Sequence, residues 1–68
     1  MSMYYVNDNP QPSGEHEVHK QGCAWLNEVA SKTDLGWHFN CQNAVDNAKE
    51  IYGNADGCKH CIPECHFR

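Results

Sequence analysis

No stretch of this chain approaches the roughly 20 consecutive apolar residues that a membrane-spanning helix requires. Basic residues are also scarce. Lys20, Lys32, Lys49, Lys59 and Arg68 stand against nine Asp and Glu, leaving a formal net charge of −4. They are scattered rather than clustered, whereas nucleic acid and anionic membranes are held through a basic face. Neither is therefore an expected partner. The opening MSMYYVNDNP carries no basic region and no apolar run of signal-peptide length, so the expected location is the cytoplasm, where thiols stay reduced. Internal repeats and low-complexity segments are lacking as well.

Large apolar residues are few, and the mean hydropathy is −0.79. The set expected to form the core is Tyr4, Val6, Val18, Trp25, Leu26, Leu35, Trp37, Phe39, Ala44, Val45, Ala48, Ile51 and Tyr52. Residues 1–68 are read as a single small domain, near the lower size limit for independent folding. A core of this size rarely supplies more than about 3–5 kcal/mol, so a staple is expected: a disulfide, a metal or a partner chain.

The pattern predicts an α+β fold, with a small antiparallel sheet of about three strands, one main helix at about 41–52 and a Cys-rich C-terminal knuckle. Met3 to Val6 is aromatic and β-branched, as strands are. Asn7 to Gly14 is dense in turn formers, with Pro10 and Pro12 forbidding a regular ladder. Glu15 to His19 can return as a second strand, its alternation placing Glu15, Glu17 and His19 on one face and His16 and Val18 on the other. Cys23 to Leu26 reads as a turn or one helical turn, and Asn27 to Asp34 as a loop. Leu35, Trp37 and Phe39, spaced by two, are expected on the buried face of a third strand. Ala44, Val45, Ala48, Ile51 and Tyr52 form one helical stripe, with Asn40 placed as N-cap and Gly53 as C-cap. Asn54 to Gly57 reads as a turn.

What the chain has in quantity is cysteine, at positions 23, 41, 58, 61 and 65, together with five histidines. An odd count does not suit a pure disulfide framework, and clustered Cys and His in a reducing compartment point to metal. His19 and Cys23 are spaced H-x3-C, and Cys58 and Cys61 are spaced C-x2-C. Each pair can present two ligand atoms to one ion from one turn of chain, with Gly57 available to the turn before Cys58. Zinc takes four nitrogen or sulfur ligands in a tetrahedron, and three thiolates with one imidazole is a standard closed set. The predicted ligands are His19, Cys23, Cys58 and Cys61, with Cys65 and His66 as alternates; His60 could also substitute for His19, and Cys58, Cys61, Cys65 and His66 could form a tail-only set. Cys41 opens the helix, where the macrodipole lowers a thiol pKa, although burial under the helix accounts for it more simply.

The succession of H-x3-C, aromatic strand, alanine-rich helix and G-C-x2-C resembles the zinc-binding domain of Ada-type DNA alkylation repair proteins. That domain pairs C-x3-C with C-x2-C around one zinc. His19, Cys23, Cys58 and Cys61 fall on those positions, and the helix Ala44 to Tyr52 lies where its helix lies. The first ligand here is His, the intervening segment is longer, and the basic DNA-contacting surface is lacking. The methyl-acceptor activity of the zinc-bound cysteine in Ada is therefore not carried over. Over nearly its whole length the chain is similar to a family of short bacterial Cys/His-rich proteins that open with YYVN, carry GxHEVH followed by GC, and end in CxxC…CH. Tyr4, Tyr5, Val6, Asn7, Gly14, His16, Glu17, Val18, His19, Gly22, Cys23 and the tail carry that likeness. It implies a compact α+β fold and brings no activity with it.

Three functions are compatible with these residues. One is a structural zinc module that binds a protein partner, with Trp25 and Trp37 as possible anchors; core packing is the favoured reading for Trp37. The second is a thiol-redox or metal-trafficking protein using Cys58, Cys61 and Cys65. Against it, redox C-x2-C motifs usually open a helix after a strand. The third is a disulfide-stapled exported domain. Hydrolytic catalysis is not expected, because His38, His60 and the carboxylates form no recognisable dyad and closed zinc sites lack an open position.

Overall fold

In the computed structural model, which describes residues 2–67, the β-branched and aromatic opening forms β1 (Ser2–Asn7) and the HEVHK segment forms β2 (His16–Lys20). The two pair antiparallel, with Tyr5 opposite His19 and Val6 opposite Val18. The turn-rich segment between them is held at its start by Asp8. Its carboxylate accepts hydrogen bonds from Ser31 Oγ and Thr33 Oγ1, each at 2.6 Å, and from the Tyr52 hydroxyl. These hydroxyls hold its pKa down at about 2. His16 stacks on the Tyr52 ring at 3.9 Å and donates Nδ1–H to the Asn7 carbonyl oxygen.

After a 3₁₀ turn at Ala24–Glu28, β3 (Lys32–His38) pairs antiparallel with the other side of β1. It begins earlier than expected, inside the segment read as a loop. Tyr4 faces Gly36 and Tyr5 faces Asp34, so Leu35 is the extra residue of a β-bulge, beside Gly36 at φ 80°. The bulge reverses the inside-outside alternation. Leu35 remains buried, while Trp37 is 64% and Phe39 75% exposed. The expectation that Leu35, Trp37 and Phe39 share one buried face is therefore corrected.

The helix α1 (Cys41–Tyr52) matches its sequence signals closely. The Asn40 side chain accepts from the Asn43 N–H at 2.9 Å, and Gly53 closes the helix at φ 80°. Its buried side is Cys41, Ala44, Val45 and Ala48, whereas Ile51, expected in the stripe, is exposed. α1 packs across all four strands.

The fourth strand, β4 (Ala55–Gly57), was expected as a turn. It runs parallel to β2, with His16 opposite Ala55 and Val18 opposite Gly57. The sheet order is thus β3-β1-β2-β4, mixed rather than wholly antiparallel. The core lies between this sheet and α1, built from Tyr4, Val6, Val18, Leu35, Ala44, Val45, Ala48 and Ala55, and completed by Ile62 of the tail. Among the described residues no helix is long and apolar enough to cross a membrane.

A disulfide joins Cys41, at the start of α1, to Cys65, in the short 3₁₀ turn Pro63–Cys65. Cys41 is thus buried, but as half of a disulfide rather than as a free thiol. The tail crosses β4 so closely that a Cβ on Gly57 would lie 2.6 Å from the Cys65 carbonyl oxygen. Gly57 therefore serves this close approach.

Candidate metal centre

The parallel pairing of β2 with β4 brings the two ends of the sequence pattern together. His19 sits near the end of β2. Gly22, at φ 92°, turns the chain so that Cys23 follows directly, its N–H donating to the Lys20 carbonyl oxygen at 3.1 Å. Across the sheet, the Cys58 N–H donates to the Val18 carbonyl oxygen at 2.8 Å. Beyond it, the Ile62 N–H returns to the Cys58 carbonyl oxygen, closing the C-x2-C turn.

Four ligand atoms, one each from His19, Cys23, Cys58 and Cys61, lie within 4.8 Å of one another. Cys23 Sγ is 3.7 Å from His19 Nδ1 and 3.9 Å from Cys58 Sγ. A tetrahedral zinc with bonds of about 2.3 Å to sulfur and about 2.0–2.1 Å to nitrogen has ligand-ligand edges of roughly 3.8 Å between sulfurs and roughly 3.5–3.6 Å between sulfur and nitrogen. The two edges observed here match that polyhedron. The sulfurs also receive backbone donors: the Lys20 N–H points at Cys61 Sγ at 3.3 Å, and the His60 N–H at Cys58 Sγ at 3.4 Å. Such contacts favour thiolates by spreading their charge.

Burial shapes the electrostatics. His19 is 1% exposed, and desolvation lowers its pKa, favouring the neutral imidazole that metals bind. Desolvation raises the Cys58 thiol and pushes Cys61 up to about 12. Without a cation these thiols keep their protons; a divalent ion among them removes the protons outright. The four side chains are thus placed to hold a metal ion.

The alternates lie elsewhere. Cys65 is bonded to Cys41. His66 Nδ1–H donates to the Gly57 carbonyl oxygen at 3.0 Å and lies 3.1 Å from an Asp56 carboxylate oxygen. Asp56 also accepts from the Phe67 N–H, tying down the tail. The His60 ring packs on Trp25 at 4.8 Å. A cleft of about 590 Å³ opens beside the cluster, walled by Glu15, Glu17, Trp25, Asp56, His60 and His66 among others.

Sequence reasoning did not identify Glu17 as part of this centre, although its Oε1 lies 3.3 Å from His19 Nε2. The E-x-E-x-H alternation of Glu15, Glu17 and His19 held the signal, since residues two apart on a strand share a face. No family model, no curated protein and no solved structure matches the chain.

Proposed function

We propose that this chain is a small structural zinc module, with the ion held by His19, Cys23, Cys58 and Cys61, and that it serves as a docking unit for a protein partner. The observation that carries the metal reading is the convergence of four donor atoms within 4.8 Å from two short pairs whose inner cysteines are 35 residues apart. A cation there fastens β2 to the turn after β4, the two segments that ordinary loop entropy would separate. A structural zinc contributes on the order of 10–16 kcal/mol in small peptides near neutral pH, well beyond what a core this size provides. The Ada-like spacing of the two pairs supports a single shared ion.

The docking part is supported by exposed aromatics, since Trp37, Phe39, Phe67 and half-exposed Trp25 face solvent. Trp is favoured at binding hot spots. Redox use of the C-x2-C is disfavoured, because burial raises both thiols where a redox pair needs one lowered. Cys65, needed by that alternative, is engaged with Cys41.

Native mass spectrometry and elemental analysis test the metal reading together. One equivalent of zinc after desalting is expected, and Cys23→Ser should abolish it. Protein that carries no metal and stays equally folded in strong chelator refutes the reading. One observation favours the exported-domain alternative, namely the Cys41–Cys65 disulfide, a bond sustained in oxidising compartments. Alkylation of protein trapped directly from cells separates the two locations: two additional blocked thiols are expected from a cytoplasmic protein.

A further inference from the structure

Metal-binding histidines owe their orientation to whatever holds the ring nitrogen that does not touch the metal. His19 points Nδ1 at Cys23 Sγ, 3.7 Å away, and Nε2 at Glu17 Oε1, 3.3 Å away. One ring nitrogen cannot serve both neighbours. The arrangement leaves Nδ1 for the cation and a proton on Nε2, donated to the carboxylate. Glu17 is itself anchored, because its Oε2 accepts from the Gln11 side-chain N–H at 3.1 Å, across the turn-rich segment between β1 and β2. Glu17 and His19 stand two apart on β2, so the strand fixes their spacing. The Glu17 side chain is 24% exposed and forms part of the cleft wall, while the His19 side chain behind it is 2% exposed.

We infer that Glu17 is a positioning residue of the metal centre, which selects the His19 tautomer binding through Nδ1 and shields that ligand from the cleft. The inference rests on the zinc reading and extends it to a residue outside the ligand set. Carboxylate partners of this kind typically contribute 10–100-fold to metal affinity. The carboxylate holds the ring in place before the ion arrives and raises the basicity of the coordinating nitrogen. Gln11, through its hold on Glu17, belongs to the same chain of contacts.

The test combines a spectroscopic readout with two variants. Long-range proton-nitrogen correlation spectra of the ¹⁵N-labelled, zinc-loaded protein should show His19 bound through Nδ1 and protonated at Nε2. Competition with a chromophoric chelator should show Glu17→Leu binding zinc about 10–100-fold more weakly. Glu17→Gln, which keeps an acceptor oxygen, should recover part of that loss and retain the tautomer. Metal-free thermal unfolding of all three proteins separates positioning from a general structural role, which would lower metal-free stability and leave affinity alone. Coordination through Nε2, or unchanged zinc affinity in Glu17→Leu, overturns the assignment while leaving the zinc reading intact. A wild-type protein that takes up no zinc overturns both.

Discussion

Removing the Cys41–Cys65 disulfide should destabilise the fold heavily while leaving the metal centre competent. The half-cystines are 24 residues apart, and the chain-entropy relation for a loop of that length gives about 12 cal/mol/K, or about 3.5 kcal/mol at 25 °C. Domains of this size have a total stability of roughly 3–10 kcal/mol, so the bond accounts for a third of it or more. At about 4–8 °C per kcal/mol for a small domain, the melting temperature should fall by roughly 14–28 °C. Both half-cystines are buried, so the suitable variant is the Cys41→Ala, Cys65→Ala pair, which places no hydroxyl in the core. Thermal unfolding by circular dichroism in saturating zinc gives the shift, and elemental analysis well below the melting point gives the stoichiometry. Zinc should remain near one equivalent, because neither cysteine belongs to the four-residue cluster. A shift of only a few degrees refutes the loop-entropy argument. Loss of zinc from a variant still folded refutes the separation of the two staples.

Gly57→Ala should cost about 1–3 kcal/mol, since the new methyl group meets the Cys65 backbone at 2.6 Å and backbone cannot rotate away; denaturant unfolding measures it, and an unchanged midpoint would show that the tail has room to move. Acid should destabilise the protein through Asp8. Its folded pKa of about 2 lies below the ordinary value of 3.8, so its contribution is complete above about 4 and is lost as pH falls towards 2. Asp8→Asn should flatten that limb of the stability-pH curve, and an unaltered limb would show that other carboxylates govern it.

Parts of this fold are legible from the residues alone, for identifiable reasons. The helix announces itself through Asn40, Gly53 and the Ala44-Val45-Ala48 stripe, all local features. The two ligand pairs, His19 with Cys23 and Cys58 with Cys61, are legible because each spacing fits one turn of chain, whereas their meeting depends on the β2–β4 pairing. β4 is not legible, because Ala-Asp-Gly has no strand propensity and is extended only because β2 offers it a ladder. The bulge at Leu35 breaks the period-two rule at a single residue, and everything after it, Trp37 and Phe39 included, falls on the unexpected side. The Cys41–Cys65 pairing and the burial of Ile62, 1% exposed, both depend on where the tail crosses the sheet. No periodicity encodes that crossing.

The bulge also shapes the open edge of the sheet. β3 is an edge of the sheet, and an unpaired edge invites strands from other molecules. Here the register with β1 slips between Tyr4 and Tyr5, so the free side of β3 is divided into two short ladders, Lys32 to Asp34 and Gly36 to His38, out of step with each other. A flat incoming strand can match one of them but not both, and Lys32 sets a charge at one end. Deleting Leu35 from the seven-residue strand would leave a continuous edge one residue shorter, with Trp37 within it. Such a variant should self-associate more readily than the parent chain, a cost of regularity that the single extra residue lowers.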